Sequence, residues 1–287
     1  MQKVDVLYKR ALKEIIKNGY ESDDKRLFHK TQPGNKSQTK SVNGLLFKFD
    51  LKRDGFPLIS LRKIPIQIFV AETIWFLNGD NKTEPFLKNY TKIWEAFKEE
   101  DGTVTSYGYR WRKHFGRDQI KGALEMLRED PSSRHGVVVT WDPASDSLSN
   151  GVKRRNVPCQ MGFMLNIINK RLNFHSIWRS VDMMLGFPYD IAGNALLAYI
   201  FASYLGIEVG DYSHYIVNAH IYDIHYEVAK ALVKREANQA MIKFNAEENW
   251  FERASNGDDN LVGGIANILE AQYTGYEAPV IRMEIVV

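Results

Sequence analysis

Cysteine is almost missing from this chain: one residue, Cys159, stands among 287. A single thiol excludes an intrachain disulfide and any zinc cluster built on cysteines. Long apolar runs are missing too. No stretch reaches the roughly 18 apolar residues of a membrane span, and no leader peptide opens the chain, which points to a cytosolic protein. Charge of one sign is also scarce. Lys and Arg total 38 against 35 Asp and Glu, a net +3, too small and too dispersed to argue for nucleic acid. There is no internal repeat, no low-complexity tract and no Gly/Ser- or Pro-rich linker, so residues 1–287 read as one undivided domain.

Aromatic bulk is plentiful. Fifteen Phe, fourteen Tyr and six Trp suffice for a deep core and an aromatic-lined pocket. Residues 4–18 carry Leu7, Ala11, Leu12, Ile15 and Ile16 at helical spacing, with Gly19 ending the run. Residues 30–43 are polar and without periodicity, which predicts a loop; Leu45 to Phe49 then reads as a strand and Asp54-Gly55 as a turn. Pro65 suits the first turn of a helix over the apolar run Ile66 to Leu77. That run contains Glu72, a carboxylate that is costly to bury unless it is paired, reaches the helix edge or has a task. Trp94 and Phe97, three apart, share a helix face and could equally be core. Residues 118–129 form an amphipathic helix before Asp130-Pro131, and Val137 to Trp141 a strand. Met161 to Ile168 and Arg171 to Trp178 are strands about a tight turn at Asn169-Lys170. Asp190 to Leu205 is a long apolar helix and Tyr212 to Val217 a strand. Asn218 to Tyr222 is expected to open a helix running to about Arg235. Residues 245–277, with weak periodicity and several Gly, Asn and Asp, are expected to be mostly loop.

The most informative stretch is 154–191, RRNVPCQMGFMLNIINKRLNFHSIWRSVDMMLGFPYDI. Taken singly, its parts are ordinary. A lone cysteine is usually a small buried hydrophobe, an Arg near an Asp is usually a surface pair of little energetic value, and a Gly-x-Pro turn is usually a turn. Their joint spacing is not ordinary. Pro158-Cys159, then Arg179-Ser180-x-Asp182, then Gly186-x-Pro188 ahead of Asp190-Ile191 resembles the thymidylate synthase signature. The string Glu72, Trp75 to Leu77, Gly79, Asp80 and the segment Tyr107-Gly108 with Trp111-Arg112 extend that resemblance over nearly the whole chain. Two departures stand out. Gln160 occupies the position of the family's His, and Asp190 that of the synthases' Asn. Asp is the residue of the deoxycytidylate (dCMP) hydroxymethylases at this place.

The resemblance implies an α/β (α+β) fold: one thymidylate synthase-like domain over 1–287 with a large mixed sheet, flanking helices, a polar loop at about 30–43 and an extended tail at about 278–287. It implies a homodimer packed sheet to sheet. It also implies 5,10-methylenetetrahydrofolate as one-carbon donor, with no metal. Cys159 is then the nucleophile that adds to C6 of a pyrimidine, making C5 nucleophilic. A free thiol with pKa about 8.5 needs positive charge to ionise, and Arg179 is the natural source, also able to grip a phosphate. Glu72 is the general acid/base, working through ordered water, and Tyr107 belongs to the same catalytic set. Asp182 would accept from the folate ring's N–H groups as well as lying near the nucleotide. Trp94, Phe97, Ile93, Gly186 and Tyr189 would form the rest of the folate wall. Ser180, His220 and Tyr222 would face the nucleotide, the last two at the sugar 3′-hydroxyl. Arg134 and His135, at the place of two adjacent arginines, would reach the partner's phosphate site. The loop arginine of the family's phosphate site is absent, and Lys36 or Lys40 would stand in.

Asp190 decides the base. Uracil offers an N3–H donor and an O4 acceptor, which an Asn amide matches. Cytosine offers the reverse, and a protonated carboxyl matches that. This predicts a cytosine nucleotide, and Gln160 agrees, since cytosine has no O4 to satisfy. Hydroxymethyl rather than methyl follows if water reaches the new C5 methylene. Asn156, where the synthases carry an apolar Leu, could hold that water, and the long tail would disturb the usual C-terminal latch. The rival readings are a thymidylate synthase methylating dUMP, a dCMP C5-methyltransferase, and an inactive paralogue that binds nucleotides or RNA. The expected partners are a small nucleotide, folate and a second copy, with no membrane or nucleic acid. The expected setting is cytoplasm, a host's if the gene is a phage's, since C5-modified cytosine is typical of phage DNA metabolism in this family.

Overall fold

The computed structural model describes residues 2–28, 36–146, 157–237, 239–275, 281, 283 and 285; the side chains of 23–28, 36 and 37 are not part of that description. In chain order the main elements are α1 (Lys3–Asn18), β1 (Tyr20–Phe28), β2 (Lys36–Asp50), α2 (Leu51–Asp54), α3 (Ile66–Asn78), α4 (Tyr107–Tyr109), α5 (Gln119–Glu129), β3 (Gly136–Val139), β4 (Gln160–Ile168), β5 (Arg171–Asp182), α6 (Phe187–Tyr204), β6 (Glu208–Tyr222), α7 (Tyr226–Lys234), α8 (Trp250–Ser255) and α9 (Asn260–Glu270). Short 3-10 turns at Leu87–Asn89, Ile93–Phe97 and Asp223–His225 and a π turn at Arg110–His114 complete them.

The strands form one mixed sheet in the order β1-β2-β6-β5-β4-β3. β5 and β6 run parallel and the other pairs antiparallel. The long helix α6 supplies the crossover that a parallel pair requires. Register assigns each residue a face. The row Val138–Phe163–Ser176–His214–Phe47 lies across five strands and is buried under the helices. The adjacent rows, Val137–Met164–His175 and Ile177–Tyr215–Leu46, lie on the opposite face. There Leu46, Val137, Val139, Met164, Ile168, Tyr215 and Val217 stand exposed.

Local sequence accounts for the elements that frame the site. α3 follows Pro65 and ends where Gly79 adopts φ 70°, the left-handed stop that glycine takes most easily. α5 is capped by the Asp118 carboxylate, which accepts from the Lys121 N–H. Asn169 and Lys170 both take positive φ, 53° and 58°, the backbone of a two-residue hairpin whose twist matches its strands. α6 is apolar on nearly all sides because sheet and helices enclose it, with Pro188 in its first turn.

Four sequence expectations need correction. The 30–43 loop is strand from residue 36 onward. Its polar residues alternate because Thr39 and Ser41 face a cavity, a pattern that lacks the apolar signal of a core strand. Asn218 to Tyr222 continues β6 and does not open a helix. Ala219 and Ile221 are buried between the more polar Asn218, His220 and Tyr222, so the period is two. α6 begins at Phe187, ahead of Asp190. The 245–277 segment holds two helices, α8 and α9. Leu261, Val262, Ile265, Ala266 and Leu269 make a regular buried stripe, which Gly263 and Gly264 on the open side obscure in composition.

Candidate active site

A cavity of about 810 Å³ lies between α3, α6 and the ends of β2, β5 and β6. Helical spacing puts Phe69, Glu72, Thr73 and Phe76 of α3 on one wall, and Tyr189, Asp190, Gly193, Asn194 and Leu197 of α6 on another. The floor is polar by register. Ser180 lies beside Asn218 and Asp182 beside His220 on the parallel pair. His220 in turn lies beside Ser41 and Tyr222 beside Thr39 on the antiparallel pair. Strand periodicity brings Asn218, His220 and Tyr222 to one side, which a helix at these positions could not do.

Cys159 enters from the turn before β4 and is half-buried against the cavity. Arg179 ties the nucleophile segment down: its Nε donates to the Pro158 carbonyl at 2.8 Å and its Nη2 to the Val157 carbonyl at 2.9 Å. Nη2 also stands 3.8 Å from the Cys159 sulfur. Burial raises the thiol pKa above its ordinary value, and Arg179 and the Tyr107 phenol offset only part of that, while Asp190 and Asp182 add to the rise. Burial thus favours the thiol form of the resting residue.

Among the described residues Glu72 has one hydrogen-bond partner, the Trp94 indole, whose Nε1 donates to Oε1 at 2.7 Å. Glu72 lines the cavity, and burial pushes its pKa up to about 7, which the Trp94 hydrogen bond moderates. A carboxyl that gains and loses protons near neutrality suits a proton shuttle.

Asp190 stands in the first turn of α6 but does not cap it. The N-cap position is Gly186, and the Asp190 carboxyl has no hydrogen-bond partner among the described residues. Burial, joined by the nearby Glu72 and Asp182 carboxylates, holds its pKa well above the ordinary carboxylate value, which favours the carboxylic acid, with an O–H donor beside an acceptor oxygen. Asp182 differs in having support: its Oδ1 accepts from the Met184 N–H at 2.8 Å and the Leu185 N–H at 3.3 Å. Burial still lifts its pKa to about 6, and Oδ2 is left to accept from a ligand.

Phe97 packs edge-on against Trp94, centroids 6.2 Å apart, on the 3-10 turn that also carries Ile93. With Gly186 and Tyr189 these three line the same cavity as Asp182. An aromatic wall facing a half-satisfied carboxylate fits a flat heterocycle with N–H donors, so the residues present fit a folate. Tyr107 meets the Trp178 ring edge-on at 5.9 Å and lines the cavity with it. Ser180 Oγ lies 3.4 Å from His220 Nδ1. Gln160 is wholly buried at the cavity's edge.

Arg134 and His135 do not join this set. Both are exposed at the start of the edge strand β3 and neither lines the cavity. Lys40 does not line the cavity; its Nζ lies 3.2 Å from Glu21 Oε1 and over the Tyr226 ring. Lys36 has no described side chain, and Asn156 lies outside the described residues. Arg179 is the sole cation lining the cavity among the described residues. Of the tail, Ile281 and Met283 pack against the core and Ile285 reaches the cavity. Sequence reading missed Ser22, Thr39, Ser41, Trp178, Asn194 and Asn218, all cavity-lining; the two-residue alternation at 39–41 and 218–222 was the available signal. No helix among the described residues is long and apolar enough to cross a membrane, and no group of three or more potential metal ligands occurs among them.

A family model described as thymidylate synthase matches residues 6–263.

Proposed function

The chain belongs to the thymidylate synthase family, and we propose that within it this protein hydroxymethylates C5 of a cytosine nucleotide. The family carries out folate-dependent one-carbon transfer to C5 of pyrimidine nucleotides with methylenetetrahydrofolate. The proposed reaction takes dCMP, 5,10-methylenetetrahydrofolate and water to 5-hydroxymethyl-dCMP and tetrahydrofolate. The observation that carries this reading is the Asp190 carboxyl, on the cavity wall, without a hydrogen-bond partner among the described residues and with burial favouring its protonated form.

A protonated Asp190 donates to N3 of cytosine and accepts from its N4 amine. A uracil at the same place would oppose the acid's acceptor with O4 and its donor with N3–H, leaving buried polar groups mismatched. Sharing the Asp190 proton with N3 draws electron density from the ring and makes C6 more electrophilic. Cys159 then adds to C6 as thiolate, its proton leaving the site, and C5 becomes nucleophilic. The folate supplies a one-carbon unit at the formaldehyde oxidation level, and Trp94, Phe97 and the free oxygen of Asp182 would hold it. C5 bonds to that one-carbon unit; Glu72, near its own pKa at neutral pH, takes the C5 proton through water, and with tetrahydrofolate as the leaving group a C5 methylene results. Water adds to the resulting C5 methylene, and expulsion of the Cys159 thiolate restores the ring. Ser180, His220 and Asn218 meet the sugar.

The partner copy completes the reading. The apolar outer face of the sheet suits a second copy in a sheet-to-sheet homodimer, and exposed Arg134 and His135 at its edge would supply the phosphate charge that the cavity lacks. The deciding experiment is turnover with dCMP and with dUMP, reading product mass. A dCMP product heavier by a hydroxymethyl group is expected; fast use of dUMP with none of dCMP overturns the assignment, and a methyl product overturns the water step.

A further inference from the structure

Asp182 is held by two peptide units, and each of those units is itself held from behind. The Met184 N–H and the Leu185 N–H both donate to Asp182 Oδ1, at 2.8 and 3.3 Å. The carbonyl in the same peptide as the Met184 N–H is that of Met183, and it accepts from the Tyr8 hydroxyl at 2.8 Å. The carbonyl in the same peptide as the Leu185 N–H is that of Met184, and it accepts from Arg62 Nη2 at 2.7 Å. A trans peptide sets its C=O and N–H on opposite sides of one rigid plane. Two relays therefore converge on one carboxylate oxygen, from Tyr8 through the 183–184 peptide and from Arg62 through the 184–185 peptide. Tyr8, Arg62, Met183 and Met184 are all buried. Tyr8 is fixed in turn by its stack on Phe187, with centroids 5.5 Å and planes 9° apart.

We propose that Tyr8 and Arg62 are positioning residues for folate binding, each pinning one of the two peptides whose N–H groups aim Asp182 at the folate ring. This rests on the reading that Asp182 holds the folate. The pinning does two things. It fixes the plane of each peptide, so both N–H groups stay on Oδ1 and Oδ2 is kept for the ligand. It also polarises the peptides, because a donor at the C=O strengthens the bond made by the N–H. Stronger N–H bonds favour the ionised carboxylate, which accepts and does not donate. Burial works the other way and lifts the Asp182 pKa to about 6, while the two N–H groups and the Arg62 charge lower it. Neither Tyr8 nor Arg62 lines the cavity, so both act through the turn alone. The competing account is plain core packing, in which they satisfy two buried carbonyls with no bearing on a ligand.

A double-mutant cycle read by calorimetry separates these accounts. Tetrahydrofolate is titrated into the full chain saturated with dCMP, and dCMP into the free chain. The proteins are wild type, Tyr8→Phe and Arg62→Met, each also combined with Asp182→Asn, with every melting temperature recorded. Each single variant is expected to weaken tetrahydrofolate roughly three- to tenfold and dCMP by less than about twofold. On the Asp182→Asn background the same changes are expected to weaken tetrahydrofolate by less than about twofold, because a neutral amide draws far less from the pinned N–H groups. A role in core packing alone would lower the melting temperature and weaken both ligands alike on both backgrounds. Tetrahydrofolate affinity unchanged in a folded variant, or a loss equal with and without Asp182→Asn, overturns the proposal and leaves the folate role of Asp182 standing. Asp182→Asn protein that binds tetrahydrofolate as tightly as wild type overturns that role and this proposal with it. Should one variant not fold, the other carries the test.

Discussion

The Trp94 indole Nε1–H donates to Glu72 Oε1 at 2.7 Å, the one hydrogen bond this carboxyl receives among the described residues. That bond stabilises the charged form of Glu72, while burial opposes it and sets the pKa at about 7. Trp94→Phe keeps an aromatic ring and removes only the donor. A hydrogen bond to the carboxylate lowers its pKa, so losing it raises the value. The limb of the pH–rate profile belonging to Glu72 therefore moves to higher pH, and at pH 7 less of the base form is present. Tritium release from C5-labelled nucleotide across pH 5–9 reads this directly. A limb that stays in place or moves to lower pH would show that Trp94 does not tune Glu72.

Asp190→Asn tests the base reader. The amide reverses the donor and acceptor order along the base edge, so dUMP becomes the matched substrate and dCMP the mismatched one. Sites built on buried hydrogen bonds discriminate by roughly 10²–10⁵. The ratio of kcat/KM values for dCMP and dUMP is expected to shift by at least about 10² towards dUMP. An unchanged ratio with lowered overall rates would place Asp190 outside base recognition.

Arg179 and Cys159 give a prediction that does not depend on the substrate. The guanidinium lowers a thiol pKa that burial has raised, and it also holds the Val157 and Pro158 carbonyls. Arg179→Met removes the charge, so the thiol pKa rises further and the midpoint of the pH dependence of alkylation by iodoacetamide moves up. Because Cys159 is the chain's one cysteine, the alkylated mass reports on it alone. Cys159→Ser blocks alkylation and lowers C5 tritium release by at least about 10³-fold, since a hydroxyl is a far weaker nucleophile at neutral pH.

Much of this site is legible in the sequence because it is local. Cys159, Arg179, Asp182 and Asp190 sit on consecutive elements, and Glu72 betrays itself as a carboxylate in an apolar helix. The floor is not local. Ser41, His220 and Asp182 become neighbours only through the register of β2, β6 and β5, and the polar residues that face the cavity make the two-residue alternation at 39–41 and 218–222 a weak one. Asn194 is hidden for a related reason. It is a buried polar residue in a helix that is otherwise a core helix, and its partner Gln160 lies on a distant strand. α9 was obscured by two glycines on the side of the helix that packs against nothing.

The last prediction concerns the outer face of the sheet. Val137, Met164, Ile168, Tyr215 and Val217 are 41–59% exposed on that face, and apolar residues exposed together on one face are of the kind that marks association. Arg134 and His135 stand at one margin of it, two and one residues ahead of β3. A second copy packed there would cover the apolar face and could carry Arg134 to the neighbour's cavity, where Arg179 is the sole lining cation among the described residues. Met164→Asp places a charge in the middle of this face and is expected to give a monomer by sedimentation, with loss of nucleotide turnover. Mixing Cys159→Ser with Arg134→Ala subunits tests the shared site itself. Random exchange makes half the dimers mixed, and each mixed dimer keeps one intact site of two, so about a quarter of the wild-type rate returns. Recovery no greater than the sum of the separate variants would mean that each subunit completes its own site.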